Sequence, residues 1–269
     1  MLSAAALSSK GDYMYPILFK IGPLSIYTYG FFIALGFLAG IFYAVKEAKR
    51  VGEDPDMIMD LCFYILISAI IGSRLFYVAT NPRLFLDSPL EIFKVWNGGL
   101  VFYGGFIAAL ITGIIYLKTK KIPVMKTMDI LTPSVALAHF FGRIGCFFAG
   151  CCYGKYCELP WAVTFNNPDS LAPAGIPIHP TQLYSAINNL IIFLFLVFFR
   201  KRKKYDGQVF WIYVLIYGIT RSVIEIFRAD FRGGFLFGIF SVSQTVGIIA
   251  AVISAIMLFI LGKRAKKKQ

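Results

Sequence analysis

Charge is scarce in this chain. Only 15% of its 269 residues are Asp, Glu, Lys or Arg, against about 25% in an ordinary soluble domain. Acids are the scarcer sign, 14 against 27 basic residues, which leaves a formal net charge of +13. Histidine is nearly missing, with His139 and His179 alone, so few imidazole bases are on offer. There is no basic start followed by an apolar core and a small-residue cleavage site, so no cleavable signal peptide is expected. No internal repeat is visible, and no low-complexity tract beyond a Lys-rich tail. What is abundant is apolar side chain, 58% of residues. One core cannot hide that much, and the remainder has to face lipid. Soluble-enzyme, disordered, coiled-coil and small disulfide-scaffold classes are thereby excluded.

A hydrocarbon core of about 30 Å needs about 20 apolar residues at about 1.5 Å of rise each. Seven such stretches lie near 25–45, 57–79, 98–117, 127–149, 181–200, 208–228 and 241–262. The basic residues sort around them. Seventeen fall after the first, third, fifth and seventh stretches, among them the run Arg200, Lys201, Arg202, Lys203, Lys204. Seven lie in the N-terminal arm and the other connections, and Arg74, Arg143 and Arg221 lie inside stretches. That asymmetry predicts an all-α polytopic membrane protein of seven transmembrane helices, N-terminus outside and C-terminus cytoplasmic. The basic runs are read as topology markers lying on anionic membrane lipid, and no nucleic-acid partner is needed. Residues 1–13 read as a disordered extension before Met14, itself a candidate start codon. Residues 14–262 read as one seven-helix membrane domain, and residues 263–269 as a basic cytoplasmic tail. The single long connection, about 150–180, holds the strand-like ELPWAVTF and the Pro-rich PAGIPIHP, and predicts a small extracytoplasmic cap.

An ionisable group at membrane depth costs about 2.5–3.5 kcal/mol on insertion scales, so each one needs a reason. Placed on their spans, Tyr29, Arg74, Tyr103, Arg143, Gln182, Tyr184, Arg221 and Glu225 share one level near the outer end. A shared level predicts one polar cavity in the outer half of the bundle. Its arginines point to an anion, because a guanidinium offers a planar fork that fits phosphate oxygens, and the phosphates at this depth belong to phospholipid head groups. Blander readings stand beside this one. Arg221 and Glu225 are spaced i,i+4 and could neutralise one another; Arg74 could reach to the interface. Gly104 and Gly105, after Tyr103 in NGGLVFYGG, either let helices approach closely or present bare amides to the head group. His139 is read as a hydrogen-bonded packing residue, and His179 as a base or a loop-orienting group.

Cys146, Cys151, Cys152 and Cys157 form C-x4-C-C-x4-C, with Cys62 apart. This is not the C-x2-C pairing of structural zinc sites, so neither metal nor cofactor is expected. A disulfide within the four is open, with no pairing assigned.

GGLVFYGGFIAAL, GRIGCFFAGCCYG, HPTQLYSAINNL and YGITRSVIEIFR, in this order and on these spans, resemble the bacterial prolipoprotein diacylglyceryl transferase family, and IGPLSIYTYGFF resembles its first span. The likeness runs from about Met14 to Leu261. It implies a seven-helix inner-membrane transferase with its site opening toward the periplasmic side. The reaction implied moves the diacylglyceryl group of phosphatidylglycerol to the lipobox cysteine thiol of a prolipoprotein signal peptide, releasing glycerol phosphate. By the same resemblance Arg143 contacts the lipid phosphate, Arg221 and Glu225 form the sixth-span motif, Tyr29 and Tyr217 line the site, and His179, Gln182 and Tyr184 form the outer-loop motif. Many members have histidine where this chain has Tyr103, asparagine at Cys146 and glutamate at Cys151. Arg143, Arg221, Tyr103 and Glu225 are therefore the expected catalytic set. Tyr29, Gly104, Gly105, His179, Gln182, Tyr184 and Tyr217, with Arg143, are the expected substrate-binding set. An anion or lipid transporter, a thiol-redox membrane protein, or a lipid-binding paralogue without catalysis are the competing classes.

Overall fold

The computed structural model describes residues 14–267 except 23, 87, 96–97, 231–234 and 237–239. The extension expected at 1–13 lies outside the described residues, as do Arg232 and Lys268. Seven long helices follow in chain order: α1 (Thr28–Val51), α2 (Pro55–Thr80), α3 (Phe102–Thr119), α4 (Val124–Ala149), α5 (Thr181–Phe199), α6 (Gln208–Glu225) and α7 (Val242–Lys266). All but α6 are long and apolar enough to cross a membrane, so the chain is a mostly helical, multi-pass membrane protein. Gln208, Arg221 and Glu225 interrupt the apolar run of α6.

Three short antiparallel ladders accompany the helices: β1 (Ile17–Ile21) with β2 (Leu24–Tyr27), β3 (Val163–Thr164) with β4 (Pro177–Ile178), and β5 (Phe235–Leu236) with β6 (Phe240–Ser241). β3 lies within ELPWAVTF and β4 within the Pro-rich stretch. The β1–β2 hairpin was not expected. It turns at Gly22 with φ +57°, and delays the first helix to Thr28.

The chain divides into two compact units, one Tyr43–Thr127 and the other comprising the described residues up to Phe42 and from Met128 onward. In the larger unit α1 and α4 pack antiparallel through small residues. A Cβ built on Gly36 would lie 2.9 Å from Phe141 Cβ, and one on Gly145 would lie 3.1 Å from Phe32 Cβ. α6 and α7 close in the same way, since a Cβ on Gly218 would sit 2.6 Å from the Gly247 carbonyl. Without a hydrophobic drive in lipid, such backbone approach is what holds helices together. Asp129 of α4 caps α6, accepting from the amides of Gly207 (2.8 Å) and Phe210 (2.9 Å) and from Lys203 Nζ (3.1 Å). A carboxylate there satisfies orphan amides and meets the positive end of the helix dipole.

In the smaller unit α2 and α3 are antiparallel and close. A Cβ on Gly104 would meet Phe76 Cβ at 2.3 Å, and one on Gly105 would meet the Ala69 carbonyl at 2.9 Å. Both glycines are buried in this contact. Arg74 is buried too, and its guanidinium folds the following loop. Nε donates to the Ile92 carbonyl (2.8 Å), Nη1 to those of Gly98 (2.7 Å) and Gly99 (3.2 Å), and Nη2 to that of Glu91 (2.5 Å). The rings of Tyr77 and Phe85 flank it at 5.6 and 5.4 Å. Gly99, at φ +68°, has no room for a side chain, as a Cβ would lie 2.7 Å from Arg74 Nη1. Arg74 thus spends its fork on backbone carbonyls and does not offer it to an anion. Arg74→Met should lower unfolding stability in detergent by at least about 3 kcal/mol, because several carbonyls lose a charged donor at once. Arg74→Lys should recover only part, since one ammonium cannot reproduce the planar fork.

Candidate functional site

α4, α5 and α6 converge on a narrow polar cleft lined by Arg143, Ser185, Asn188, Asn189, Tyr217, Arg221 and Ile224. Arg143 stands six residues before the end of α4, about 9 Å of rise. Among the described residues no carboxylate pairs with it, and its charge is felt by Tyr217, Cys146 and Cys152 and by Tyr29 of α1. Arg221, one turn before the end of α6, is ion-paired through Nη1 with Glu225. Glu225 also accepts from Ser241 Oγ at 3.2 Å, the N-cap of α7. The cleft wall is braced by Asn188 donating to Thr220 Oγ1 (3.0 Å) and Asn189 donating to the Ser185 carbonyl (2.7 Å). Tyr217 stacks on Tyr213 at 5.5 Å and faces the His139 ring at 5.5 Å. His139 Nδ1 lies 3.1 Å from the Tyr213 hydroxyl, a packing and hydrogen-bonding role.

Beside the cleft the cap segment is stitched to the end of α6. The Gly154 amide donates to the His179 carbonyl (3.1 Å) and that of Lys155 to the Phe227 carbonyl (2.8 Å). Glycine is required at 154, because a Cβ would lie 2.5 Å from His179 Cβ. His179 Nδ1 is 3.1 Å from the Tyr184 hydroxyl, which accepts from Trp161 Nε1 at 2.8 Å. Phe227 closes the group, 5.2 Å from the His179 ring. Gln182 is buried and donates to the Cys151 carbonyl (2.9 Å); Thr181 donates to the Cys152 carbonyl (2.7 Å). Gln182 Oε1 has no hydrogen-bond partner among the described residues.

Tyr29, Arg143, His179, Gln182, Tyr184, Tyr217, Arg221 and Glu225 therefore belong to one unit. Tyr103, Gly104 and Gly105 belong to the other, where Tyr103 is exposed (63%) in the first turn of α3. Three participants escaped the sequence reading. Arg228 is buried, chelated by Asp230 through Nε (2.9 Å) and Nη2 (2.7 Å), and 3.6 Å from Glu225 Oε2. The signal was available, since Arg221, Glu225 and Arg228 repeat at i, i+4 and i+7 in RSVIEIFR. Asn188 and Asn189 were passed over inside an apolar helix. None of the five cysteines is disulfide-bonded.

In this cleft the Arg143 guanidinium has no carboxylate partner among the described residues, while that of Arg221 is held by Glu225. A family model for prolipoprotein diacylglyceryl transferase matches residues 16–260. The protein named phosphatidylglycerol–prolipoprotein diacylglyceryl transferase from Clostridium tetani is 40% identical over 89% of this chain and 95% of its own length. A Clostridium perfringens protein of that name, numbered 2, is 34% identical over 94% and 97%, and one from Geobacter sulfurreducens is 33% identical over 93% and 96%. Most of the chain being matched in this way, the protein belongs to the prolipoprotein diacylglyceryl transferase family.

Proposed function

We propose that this chain transfers the diacylglyceryl group of phosphatidylglycerol to a cysteine thiol of a prolipoprotein, the first step of lipoprotein lipidation. The observation that carries the reading is the cleft on which Arg143, Tyr217 and Arg221 converge. In the reaction the bond between the glycerol carbon and its phosphate oxygen breaks, a carbon–sulfur bond forms, glycerol phosphate leaves, and the thiol proton is lost. Negative charge grows on the leaving phosphate, so cations already in place favour the transition state over the ground state. Arg143 and Arg221 take that role, and Glu225 holds Arg221 in its rotamer. Tyr29 and Tyr217 line the lipid, and the His179–Tyr184–Trp161 group guides the acceptor at the mouth. Tyr103 belongs to the other compact unit, Tyr43–Thr127, and the roles of Arg143, Arg221 and Glu225 do not depend on it. A neighbouring arginine supplies the thiolate's stabilisation.

The acceptor on this reading is a lipobox cysteine in a signal peptide. Its support is the family membership; on the same reading α6 is a seventh span and the 17 basic residues lie on the cytoplasmic side of a bacterial inner membrane. The site then opens toward the outer leaflet. Complementation tests the reading. A strain depleted of its own transferase should regain growth and thioether-modified prolipoprotein when this chain is expressed. Stable membrane expression with no lipidated product would sink the assignment.

A further inference from the structure

The spacing C-x4-C-C argues against a metal, yet the chain path reverses that argument. α4 ends at Ala149 just after Cys146, and Gly150 at φ +72° turns the backbone back. Cys152 then sits at φ +63°, a left-handed conformation that L side chains avoid and that persists only where surrounding contacts enforce it. The enforcing contacts are those of Thr181 and Gln182 on the carbonyls of Cys152 and Cys151. The result is that the Sγ atoms of Cys146, Cys151 and Cys152 all lie within 4.8 Å of one another. Sulfurs bound to one zinc ion at about 2.3 Å in tetrahedral geometry are about 3.8 Å apart, so a closure of about 1 Å completes the set.

We propose that these three cysteines form a binding site for a thiophilic divalent cation of the zinc type. Cys146 is buried and Cys151 half-buried, which leaves an entry side. Charge balance favours the assembly. Three thiols lose three protons on binding, three thiolates and a divalent cation sum to one negative charge, and Arg143, which has no carboxylate partner among the described residues, answers it. Soft thiolate ligands select zinc, cadmium and copper(I) over magnesium or calcium. The bound ion would pin the same loop whose carbonyls Thr181 and Gln182 hold, so ligand binding should raise the unfolding temperature. The proposal goes beyond lipid transfer and stands without it.

The test is titration of the full chain in detergent, kept reduced with a phosphine, using Cd2+ as the probe. One equivalent should produce the ultraviolet thiolate-to-cadmium charge-transfer band, release about three protons per ion and raise the melting temperature; added Zn2+ should bleach the band. Cys62→Ser and Cys157→Ser should behave as the parent. Cys151→Ala should lower affinity at least about tenfold, and the combined replacement of Cys146, Cys151 and Cys152 by Ser should remove the band. Absence of the band in the parent protein at equimolar Cd2+ overturns the proposal with no variant needed. Parental affinity in Cys151→Ala, or a band that survives the triple replacement, overturns it equally.

Discussion

Arg143→Ala should reduce transfer at least about 10²- to 10³-fold, the range seen when one preorganised donor to a developing anion is removed. The measure is release of labelled glycerol phosphate from phosphatidylglycerol by the protein in vesicles with an acceptor peptide. Two features make this the largest effect on the reaction. The guanidinium lines the same cleft as Arg221 and Tyr217, and among the described residues no carboxylate neutralises it. An unpaired charge at this position is costly to bury. Its removal should therefore leave the unfolding temperature unchanged or raise it. Lost activity with retained or raised stability is the signature of a residue kept for chemistry. Arg143→Lys should fall between, since a single ammonium keeps the charge and loses the bidentate fork. Transfer within about tenfold of the parent in the alanine variant would remove Arg143 from the mechanism.

The sequence made the membrane class and the polar helix faces legible for definite reasons. Apolar runs of about 20 residues and the asymmetry of lysines and arginines act through lipid, whose demands are one-dimensional and readable along the chain. Arg221 and Glu225 were legible as a pair because helical spacing places i and i+4 side by side. Arg74 was not. Its partners Glu91, Ile92, Gly98 and Gly99 come from an irregular segment folding back on α2, and no periodic pattern announces such a return. Gly104 and Gly105 allowed two readings, and their burial against α2 gives them a packing role. The proximity of the Cys146, Cys151 and Cys152 sulfurs was not legible, because the left-handed turn at Gly150 and Cys152 gathers them across the end of a helix. Arg228 was counted among outer-loop charges, though burial and Asp230 make it part of the α6 network.

Glu225→Gln should both unfold the C-terminal end of α6 and slow transfer, with a stability loss of about 3–5 kcal/mol, the range for removing one partner of a buried ion pair. The carboxylate is only 9% exposed and its partner Arg221 is 11% exposed. It answers Arg221 directly, approaches Arg228 Nε at 3.6 Å and accepts from Ser241, so one neutralising change leaves two guanidiniums with, among the described residues, Asp230 as their counter-charge. The comparison pair is Glu91–Lys94, whose side chains are 37% and 41% exposed; an exposed pair of this kind contributes at most about 1 kcal/mol, and Glu91→Gln should be silent. A double-mutant cycle separates the two effects on transfer. If Glu225 acts by holding Arg221, the pair Arg221→Gln with Glu225→Gln should be no slower than Arg221→Gln alone, and the two single losses will be far from additive. Added salt should not reproduce the loss, because a pair this buried is poorly screened. Strict additivity of the two activity losses would give Glu225 an independent part in the reaction and end its assignment as the residue that positions Arg221.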